Sequence, residues 1–533
     1  MQDTSVLIVG GGPVGLALAG DLGWRGVDCV LLEQTDGTIR TPKMNEVKMR
    51  TMEFCRRWGI ADKVVNCPFP ADYNMDIAFV TSLGGYELGR VHRPAKKDQE
   101  PGSASPVNLQ ICSQLWFDPI LREFAESTLS ARLRHRCRFD GHENSEEGVT
   151  ARYTALDSGK EETINARYLV ACDGAGSSIR KDADIGLKGP GVLGHPIHFF
   201  FRAPDLLDQL GCNEATFFLA FDKDGLWANI RIVDPVGAMW RLMVLDTPEG
   251  FDTEDVDREA FLRRACGRDM NVEWLGHSIW TRKGLVAERY RKGNLFIAGD
   301  AAHQLSPTGA LGMNTGIADA VDLSWKLAAM LEGWGGKGLA ESYDYERRLV
   351  GIRNVNQAAE FHNTHLKFRE FKGIEDDGPT GEELRARLGA ELVDKVGKMF
   401  RSEGMQLGYR YKGSPICIAD GTPEPPYEVV VSTPSARPGA RAPHGWLPDG
   451  RSTLDLYGAG FTLVRTGEAD PEPVMRAAAN KAVPLKLAVL NAPEIMRLHE
   501  CALLLVRPDG HVAWRGDAAP EDAGMVIDKI RGA

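Results

Sequence analysis

Three short stretches, far apart in the chain, place glycine at the end of an apolar run, and two of them also contain an aspartate. The first is Gly10-Gly11-Gly12-Pro13-Val14-Gly15, the second begins with Asp173-Gly174, and the third is Gly299-Asp300. Glycine lets the main chain turn sharply and approach a ligand closely, and a helix that begins after such a turn presents free N–H groups to an anion. These residue types therefore suit the binding of a phosphorylated ligand whose hydroxyl groups donate to the carboxylates.

The first stretch fits the pattern G-x-G-x-x-G in the context that this pattern requires. Residues 5–9 precede it as a predicted strand, a predicted helix follows it, and a second predicted strand ends at Glu33. In a dinucleotide-binding βαβ unit, Gly10 forms the tight turn and Gly12 lets the backbone approach a pyrophosphate. Gly15 allows the helix to pack on the strand, and Glu33 accepts a hydrogen bond from a ribose hydroxyl. The alternative is a glycine-rich turn without a ligand.

The third stretch lies in the segment 294–330. This segment has the pattern of a strand before Gly299, a loop rich in Pro, Thr and Gly, and a helix that starts near Asn314. This layout holds a polar ligand over a helix N-terminus, where free N–H groups and the helix dipole favour negative charge. Taken alone it could be a βα turn of any α/β protein. With the first stretch, it predicts glycine turns that converge on one ligand.

The composition bounds the class of protein. The chain has 533 residues, of which 43% are hydrophobic and 26% charged, so we expect a globular protein of two or three domains. A net charge of −11 argues against nucleic acid as the main partner. The N-terminal apolar run lacks a basic leader, and no run reaches the roughly 18 apolar residues of a membrane span. Ten cysteines without a C-x-x-C pair favour reduced thiols in a cytoplasm and neither a metal site nor a disulfide framework.

The rest of the chain changes character along its length. Four β-type runs between residues 195 and 245 predict an antiparallel sheet rich in aromatic residues, and a short hairpin is predicted to turn at Gly84-Gly85. A charged helix and a Pro-rich passage within 373–430 predict a linker. Strands between 461 and 514 predict a separate small α/β unit.

Together the three stretches resemble those of the single-component FAD-dependent aromatic hydroxylases, typified by p-hydroxybenzoate hydroxylase and phenol hydroxylase, over about residues 1–370. The runs 309–316 (GALGMNTG) and 322–327 (DLSWKL) are especially similar to the branch that hydroxylates phenols and polycyclic natural products. The resemblance implies an α/β fold with a FAD-binding Rossmann-like domain, an inserted antiparallel-sheet substrate domain and a C-terminal thioredoxin-like domain. Because that last domain has no paired cysteines here, we expect a packing or dimer role for it and no disulfide exchange.

The resemblance also implies the domain limits. We expect the FAD-binding domain to be 1–75, 108–185 and 285–372, the substrate domain 76–107 and 186–284, a helix and linker 373–430, and the thioredoxin-like domain 431–533.

Site residues are implied at the matching positions. The expected FAD contacts are Gly10, Gly12, Pro13, Val14, Gly15, Glu33, Arg50, Gln114, Asp173, Gly299, Asp300, Pro307, Gly312, Met313 and Asn314. Among them, Arg50 and Gln114 would reach the pyrophosphate and ribityl region, and Asp173 would serve both FAD and nicotinamide binding. Lys48 departs from the small or polar residue expected two positions before Arg50.

The implied reaction is a hydroxylation. NADPH or NADH reduces FAD, O₂ adds to form a flavin C4a-hydroperoxide, and its distal oxygen passes to a phenolic or polycyclic aromatic substrate. Pro307 would lie beside the reacting ring of the flavin, Arg241 or Tyr73 would assist phenol ionisation, and Trp227 would wall the pocket, although ordinary packing or a solvated charge would explain the last three equally well. Neither a metal nor a membrane span is expected, and a homodimer is possible. The alternatives are a flavin oxidase or dehydrogenase on the same fold, and a FAD-fold binding protein resembling the GDP-dissociation inhibitors.

Overall fold

The apolar run at the N-terminus forms a central strand of a mostly parallel sheet in the computed structural model, which describes residues 3–247 and 256–533. The strands of this sheet, in spatial order, are Arg291–Lys292, Leu295–Ile297, Lys160–Ala171, Thr4–Val9, Cys29–Leu32 and Ala131–Arg134, with Val149–Ala155 and Cys137–Asn144 added to Lys160–Ala171 as an antiparallel ribbon. The central strands are apolar at every position from Val6 to Val9 and from Cys29 to Leu32 because helices cover both faces of the sheet.

Helices surround this sheet and support the other units. In chain order they are Pro13–Trp24, Met49–Arg57, Ala61–Val65, Gln114–Glu126, Ser178–Asp182, Leu206–Leu210, Arg258–Cys266, Gly312–Leu331, Gly338–Leu366, Pro379–Lys395, Glu403–Leu407, Glu472–Asn480, Pro493–His499 and Ala523–Ile530. The first of them packs so closely against the helix Gln114–Glu126 that a Cβ atom on Gly20 would lie only 2.4 Å from the Phe124 ring. In the described part of the chain, no helix combines the length and the apolar character that crossing a membrane requires.

A second, seven-stranded sheet carries the predicted aromatic-rich strands. Its spatial order is Glu273–Ile279, Ile197–Arg202, Met239–Val244, Gly225–Asp234, Phe217–Asp222, Ile77–Val80 and Glu87–Val91. The last two strands form the predicted hairpin. The four predicted runs pair with one another in the antiparallel sense, as predicted. The hairpin strand Ile77–Val80 joins them in parallel, through Phe217–Asp222. This hairpin comes from much earlier in the chain, so no turn between the two strands dictates their direction.

Two smaller sheets lie where the two large ones meet. One consists of Leu187–Gly194, Arg282–Ala287 and His303–Gln304, and the other pairs Glu46–Val47 with Gln110–Ile111. The helix Pro379–Lys395, from the segment predicted as helix and linker, packs on the seven-stranded sheet. Its Leu388 and Leu392 share an apolar cluster with Leu88 of that sheet.

The C-terminal unit is a four-stranded sheet with helices. Its strands, in spatial order, are Leu485–Val489, Phe461–Arg465, Leu503–Val506 and Val512–Gly516. Three of these strands were predicted, and Leu485–Val489 was missed. At this edge position none of its residues is buried, and its sequence Leu-Lys-Leu-Ala-Val does not alternate regularly between apolar and polar side chains.

A buried ionic network joins this unit to the helices Gly312–Leu331 and Gly338–Leu366. Arg507 lies 2.9 Å from Asp322, 2.6 Å from Glu346 and 2.8 Å from Asp509, and Lys326 bonds Asp322 and Glu346 at 2.7 and 2.6 Å. All five side chains are buried. Buried ions are tolerated only when each has partners, so Arg507 is the ion on which this interface most depends.

Arg507→Met should therefore destabilise the protein strongly. The change leaves three buried carboxylates with Lys326 as their remaining close cation, and we expect a loss of about 3–5 kcal/mol, measured by urea or thermal unfolding. The control is Arg476→Met, which breaks the exposed pair with Glu472 and should cost less than about 1 kcal/mol. Equal losses in the two variants would contradict the role given to Arg507.

Candidate active site

The three glycine stretches meet at the carboxyl edge of the parallel sheet. A Cβ atom on Gly10 would lie 2.3 Å from the carbonyl oxygen of Cys172, the residue immediately before the second stretch. Cβ atoms on Gly299 and Gly316 would lie 3.0 and 2.5 Å from the Val14 side chain. Gly10 also has a φ of 110°, which disfavours other residues. Close backbone packing thus brings the three stretches together, as the sequence predicts.

Other glycines of the same stretches border open space. A Cβ atom on Gly12, Gly174, Gly176 or Gly312 would have no neighbour within 4 Å. At Gly12 the φ of −73° is also one that any residue adopts, so the backbone there does not need glycine. Open space along a glycine loop and a helix start is what a dinucleotide pyrophosphate requires, so the cleft fits the predicted cofactor.

Two carboxylates in the cleft can accept hydrogen bonds from a ligand. Asp173 Oδ1 is buried without a hydrogen-bond partner in the described part of the protein, while its Oδ2 accepts the Ile179 N–H at 3.4 Å. Burial raises the pKa of Asp173. The surrounding protein likewise raises the pKa of Asp300, whose side chain is open to the cleft. A buried acceptor without a partner is costly, and a ligand hydroxyl would satisfy it.

Glu33 stands beside the first glycine loop. Its Oε2 accepts the Gly11 N–H at 2.7 Å, and its Oε1 accepts the Thr35 N–H at 2.7 Å. Pro13 occupies the first turn of the following helix, where its missing N–H costs nothing. The carboxylate is thereby fixed at the glycine loop, at the position expected for an acceptor of a ribose hydroxyl.

The third stretch leads into the N-terminus of the helix Gly312–Leu331, two residues before the predicted start. The first N–H with a partner inside this helix is that of Thr315, which donates to the Leu311 carbonyl at 2.8 Å. The N–H groups of Gly312, Met313 and Asn314 therefore precede the intrahelical ladder and suit a negatively charged ligand. Pro307 lies exposed on the preceding loop.

Two amide side chains expected at the cofactor already have protein partners. Asn314 Oδ1 accepts the Lys48 N–H at 2.9 Å, so this side chain ties the helix start to the strand Glu46–Val47 and leaves the backbone N–H for a ligand. Gln114 Oε1 accepts the Lys43 N–H at 2.9 Å, and its Nε2 donates to Asp118. Both side chains position the walls of the cleft.

Arg50 has partners in its own helix and in the C-terminal unit. Its Nη1 lies 2.7 Å from Glu53 Oε2, and its Nη2 donates to the Asp509 carbonyl of the C-terminal unit at 2.7 Å. The guanidinium also lies 4.5 Å from the centre of the Phe54 ring. Glu53, one turn along the same helix, supplies a counter-ion, so Arg50 anchors the C-terminal unit. Its Nε is buried without a partner among the described residues, and its contact with a pyrophosphate stays a prediction.

Sequence reasoning missed a buried group beneath the third stretch. Asp319 Oδ2 accepts the Gly299 N–H at 3.2 Å and lies 2.6 Å from His303 Nε2, and Asp319 Oδ1 accepts from Arg347 Nε at 2.8 Å. The His303, Asp319 and Arg347 side chains are fully buried. They hold the turn that presents Asp300. The available signal was the presence of charged residues, Asp319 among them, in a mostly apolar helix, which indicates buried partners.

Arg241 lies on the face of the seven-stranded sheet that fronts the parallel sheet. It pairs directly with Phe200 and Arg231 on the neighbouring strands, so the three side chains share a face. On that face Phe200 packs against Leu115 of the parallel-sheet part. Arg241 Nη2 donates to Asn229 Oδ1 at 3.1 Å, and its buried Nε has no partner among the described residues. Burial and Arg231 lower the pKa of Arg241 to about 9.

The same region has more cations than carboxylates. Glu46 lies 2.6 Å from Lys48, 3.1 Å from Arg93 and 3.4 Å from Arg231. Burial opposes the ionised form, but these cations outweigh it and lower the pKa of Glu46. Since Glu46 already serves three cations, the positive charge of Arg241 is left for a ligand.

Tyr73 and Trp227, the other residues expected at the substrate, have different surroundings. The Tyr73 ring packs edge-on against Phe69, and burial together with Glu214 raises the pKa of its phenol. The Trp227 ring lies 4.0 Å below the Arg264 guanidinium. The buried Trp227 Nε1 has no partner among the described residues, as is true of Arg241 Nε. The substrate roles of Tyr73 and Trp227 therefore stay predictions.

Gly12→Val tests the open space at the first glycine stretch. The side chain meets no protein atom, so the variant without cofactor should unfold at the wild-type temperature, but it fills the space of the pyrophosphate and should raise the Kd for FAD at least about tenfold. FAD fluorescence quenching and thermal unfolding measure the two effects. The matched control is Gly15→Val, whose Cβ would lie 1.9 Å from the Gly10 carbonyl oxygen and which should be unstable without cofactor. Unchanged FAD affinity of Gly12→Val would place the cofactor elsewhere.

The buried carboxyl group of Asp118, in the wall of the cleft, makes the free energy of unfolding depend on pH. It is buried, its Oδ1 has no partner among the described residues, and burial raises the pKa of the carboxyl to about 7. Because the folded pKa lies above the unfolded one, the stability present at low pH is lost as the pH rises towards 7.

Asp118→Asn should remove that loss and keep the acceptor for Gln114. Its gain in unfolding free energy over wild type should grow between pH 4 and 8 by up to about 4 kcal/mol, measured by urea unfolding. Exposed Asp62→Asn is the control and should show no such growth. A gain that does not change with pH would show that Asp118 does not titrate in this way.

Comparison with known proteins agrees with this geometry. Residues 3–358 match the family described as FAD binding domain, and residues 435–533 match the family described as aromatic-ring hydroxylase, C-terminal. The chain is 34% identical to the FAD-dependent monooxygenase apdD of Emericella nidulans, over 99% of this chain and 90% of that protein. It is similar to the solved structure of RebC with bound 7-carboxy-K252c, at 41% identity and a TM-score of 0.93 over 99% of each chain. It also resembles aklavinone-11 hydroxylase in complex with FAD and aklavinone, at 28% identity and a TM-score of 0.83 over 100% of each chain. The chain therefore belongs to the FAD-dependent aromatic-ring hydroxylases, with a Rossmann-like FAD-binding domain, an inserted substrate domain and a C-terminal thioredoxin-like domain.

Proposed function

We propose that this monooxygenase takes electrons from NADPH or NADH and hydroxylates a phenolic or polycyclic aromatic compound that lies between the glycine stretches and the cationic face of the seven-stranded sheet. The observation that carries the proposal is the position of Arg241. It is a buried cation with an unpartnered N–H, on the sheet face that fronts the FAD-binding domain.

The glycine stretches and their carboxylates hold FAD. The loop at Gly12 receives the pyrophosphate, Glu33 accepts from the ribose, and Asp173 and Asp300 accept from further hydroxyl groups of the bound nucleotide. The N–H groups of Gly312 to Asn314 stabilise negative charge on the ring system. When bound, FAD supplies the transfer of one oxygen atom from O₂ to the substrate with electrons from the reduced nicotinamide.

The substrate is an aromatic compound with an ionised oxygen. RebC and aklavinone-11 hydroxylase were each solved with a ligand, 7-carboxy-K252c and aklavinone respectively, and we extend the class of fused-ring compounds to this chain. Arg241 attracts a phenolate in a site shielded from water, where a charge-assisted hydrogen bond is strong. A phenolate oxygen releases electron density into its ring, which favours attack by an electrophilic oxygen. Arg241 thus binds the substrate and keeps it in the reactive ionised state.

Arg241→Met should lower kcat/KM for phenolic substrates by about ten- to hundredfold, because it removes one charge-assisted hydrogen bond of roughly 1.5–3 kcal/mol. FAD content should stay at the wild-type value. The control is Arg202→Met on the neighbouring strand, which pairs with Glu273 at the exposed end of the sheet and should keep wild-type kinetics. Wild-type kcat/KM in Arg241→Met would remove Arg241 from the substrate site.

A screen of phenols and fused-ring aromatic compounds tests the substrate class. Stopped-flow measurements follow the rate at which NADPH or NADH reduces the flavin, and mass spectrometry detects hydroxylated product. We expect one structural group of ligands to accelerate flavin reduction and to be hydroxylated. Nicotinamide oxidation with hydrogen peroxide as the sole product across the panel would favour a flavin oxidase or dehydrogenase instead.

A further inference from the structure

Apart from the cleft residues, Cys67 and Cys112 of the FAD-binding domain lie close to Lys96 of the segment 76–107. Lys96 Nζ lies 3.2 Å from Cys67 Sγ. Cys67 Sγ in turn lies 3.5 Å from the carbonyl oxygen of Ile111, the residue that precedes Cys112. Cys112 is therefore a close neighbour of Cys67, and each thiol alters the pKa of the other. Cys67 is 7% exposed and Cys112 is fully buried.

Lys96 is held in place towards the cysteine. Its ammonium group also donates to the carbonyl oxygens of Val65 and Phe69 at 3.2 and 3.4 Å, and it lies 5.3 Å from the centre of the Phe69 ring. Among the described residues no carboxylate forms an ion pair with Lys96. The anion that would complete this arrangement of donors is therefore the Cys67 thiolate.

The electrostatics distinguish Cys67 from the other buried cysteines. The neighbouring Cys112 thiol and the charge of Lys96 lower the pKa of Cys67 to about 6, and the interaction with Cys67 raises the pKa of Cys112. Burial raises the pKa of Cys29 to about 12, and it also raises the pKa of Cys55. Since the thiolate is the reactive form, Cys67 should react far faster than those two thiols at neutral pH.

We propose that Cys67 and Cys112 form a redox-active pair, in which a hydroperoxide oxidises Cys67 and Cys112 then closes a disulfide. The Cys67 thiolate attacks one oxygen of hydrogen peroxide, the O–O bond breaks, and the departing hydroxide takes a proton from the Lys96 ammonium to leave as water. The Cys112 sulfur, losing its proton, then displaces hydroxide from the Cys67 sulfenic acid. The two thiols are oxidised by two electrons, and one peroxide is reduced to two waters.

The position of the pair gives the oxidation a route to the cofactor cleft. The Cys112 N–H donates to the Asn45 carbonyl at 2.9 Å, and Cys112 directly precedes Ser113, which caps the helix that carries Gln114. A disulfide would fasten the segment around Cys67 to this wall of the cleft. The enzyme itself would supply the peroxide when it reduces oxygen without hydroxylating a substrate, and this part of the inference rests on the proposed function. Added peroxide tests the pair independently of that function.

The experiment treats the holoenzyme with a few equivalents of hydrogen peroxide at pH 7, alkylates the remaining thiols after denaturation, and maps the peptides by mass spectrometry. We expect a linked Cys67–Cys112 peptide that dithiothreitol separates, while Cys55 remains alkylated. In Cys112→Ala, Cys67 should stop at the sulfenic acid, which dimedone traps. Cys55→Ala is the matched buried control and should leave the formation of the disulfide unchanged.

Lys96→Met tests whether Lys96 activates the Cys67 thiol or only lies beside it. Lys96 is partly exposed, so the variant should fold. In this variant Cys67 should be oxidised at least about tenfold more slowly at pH 7. Its oxidation rate should keep rising with pH until the pKa of an ordinary thiol is reached, whereas the wild-type rate should level off near neutral pH. Oxidation spread evenly over the cysteines of the wild type, or the same pH profile in Lys96→Met, would overturn the proposal.

Discussion

The structure depends on close contact between the glycine stretches at the carboxyl edge of the parallel sheet. Val9 pairs with Ala171, and Ala171 with Ile297, so the three strands end side by side. The chain segments that follow can then touch only because glycine stands at Gly10, next to the Cys172 carbonyl, and at Gly299, against Val14. This packing leaves the opposite side of the same loops open. The cofactor cleft is thus a direct consequence of how closely these segments approach one another.

Buried polar groups fall into two classes around this edge. Some are satisfied by the protein itself: Asp319 holds Gly299, and Arg507 joins the C-terminal unit to two helices of the FAD-binding domain. Others keep an atom without a partner among the described residues, as Asp173 and Arg241 do. Asp173 lies at the glycine cleft and Arg241 on the sheet face that fronts it, so a ligand can complete both, and these two residues mark the site.

The sequence was most informative where local pattern and function coincide. The glycine spacing, the acid that ends each run and the alternation of apolar residues predicted the convergent loops and most strands. It was least informative where a partner is remote. Arg50 bonds Asp509, and Ile77–Val80 pairs in parallel with Phe217–Asp222; in both cases the partner is distant in sequence, so no local pattern specifies the contact. The surroundings of Tyr73 and Trp227 could not be read either, since a shift of one residue exchanges the two faces of a strand.

The most direct test of the account is turnover under isotopically labelled dioxygen with a reduced nicotinamide and an aromatic substrate found by binding to the holoenzyme. A flavin hydroxylase whose cleft holds the substrate beside the cofactor should place one labelled oxygen atom on the ring for each substrate molecule converted. Unlabelled product, or labelled hydrogen peroxide with the aromatic compound unchanged, would contradict the claim that FAD and substrate meet between Gly12, Asp300 and Arg241.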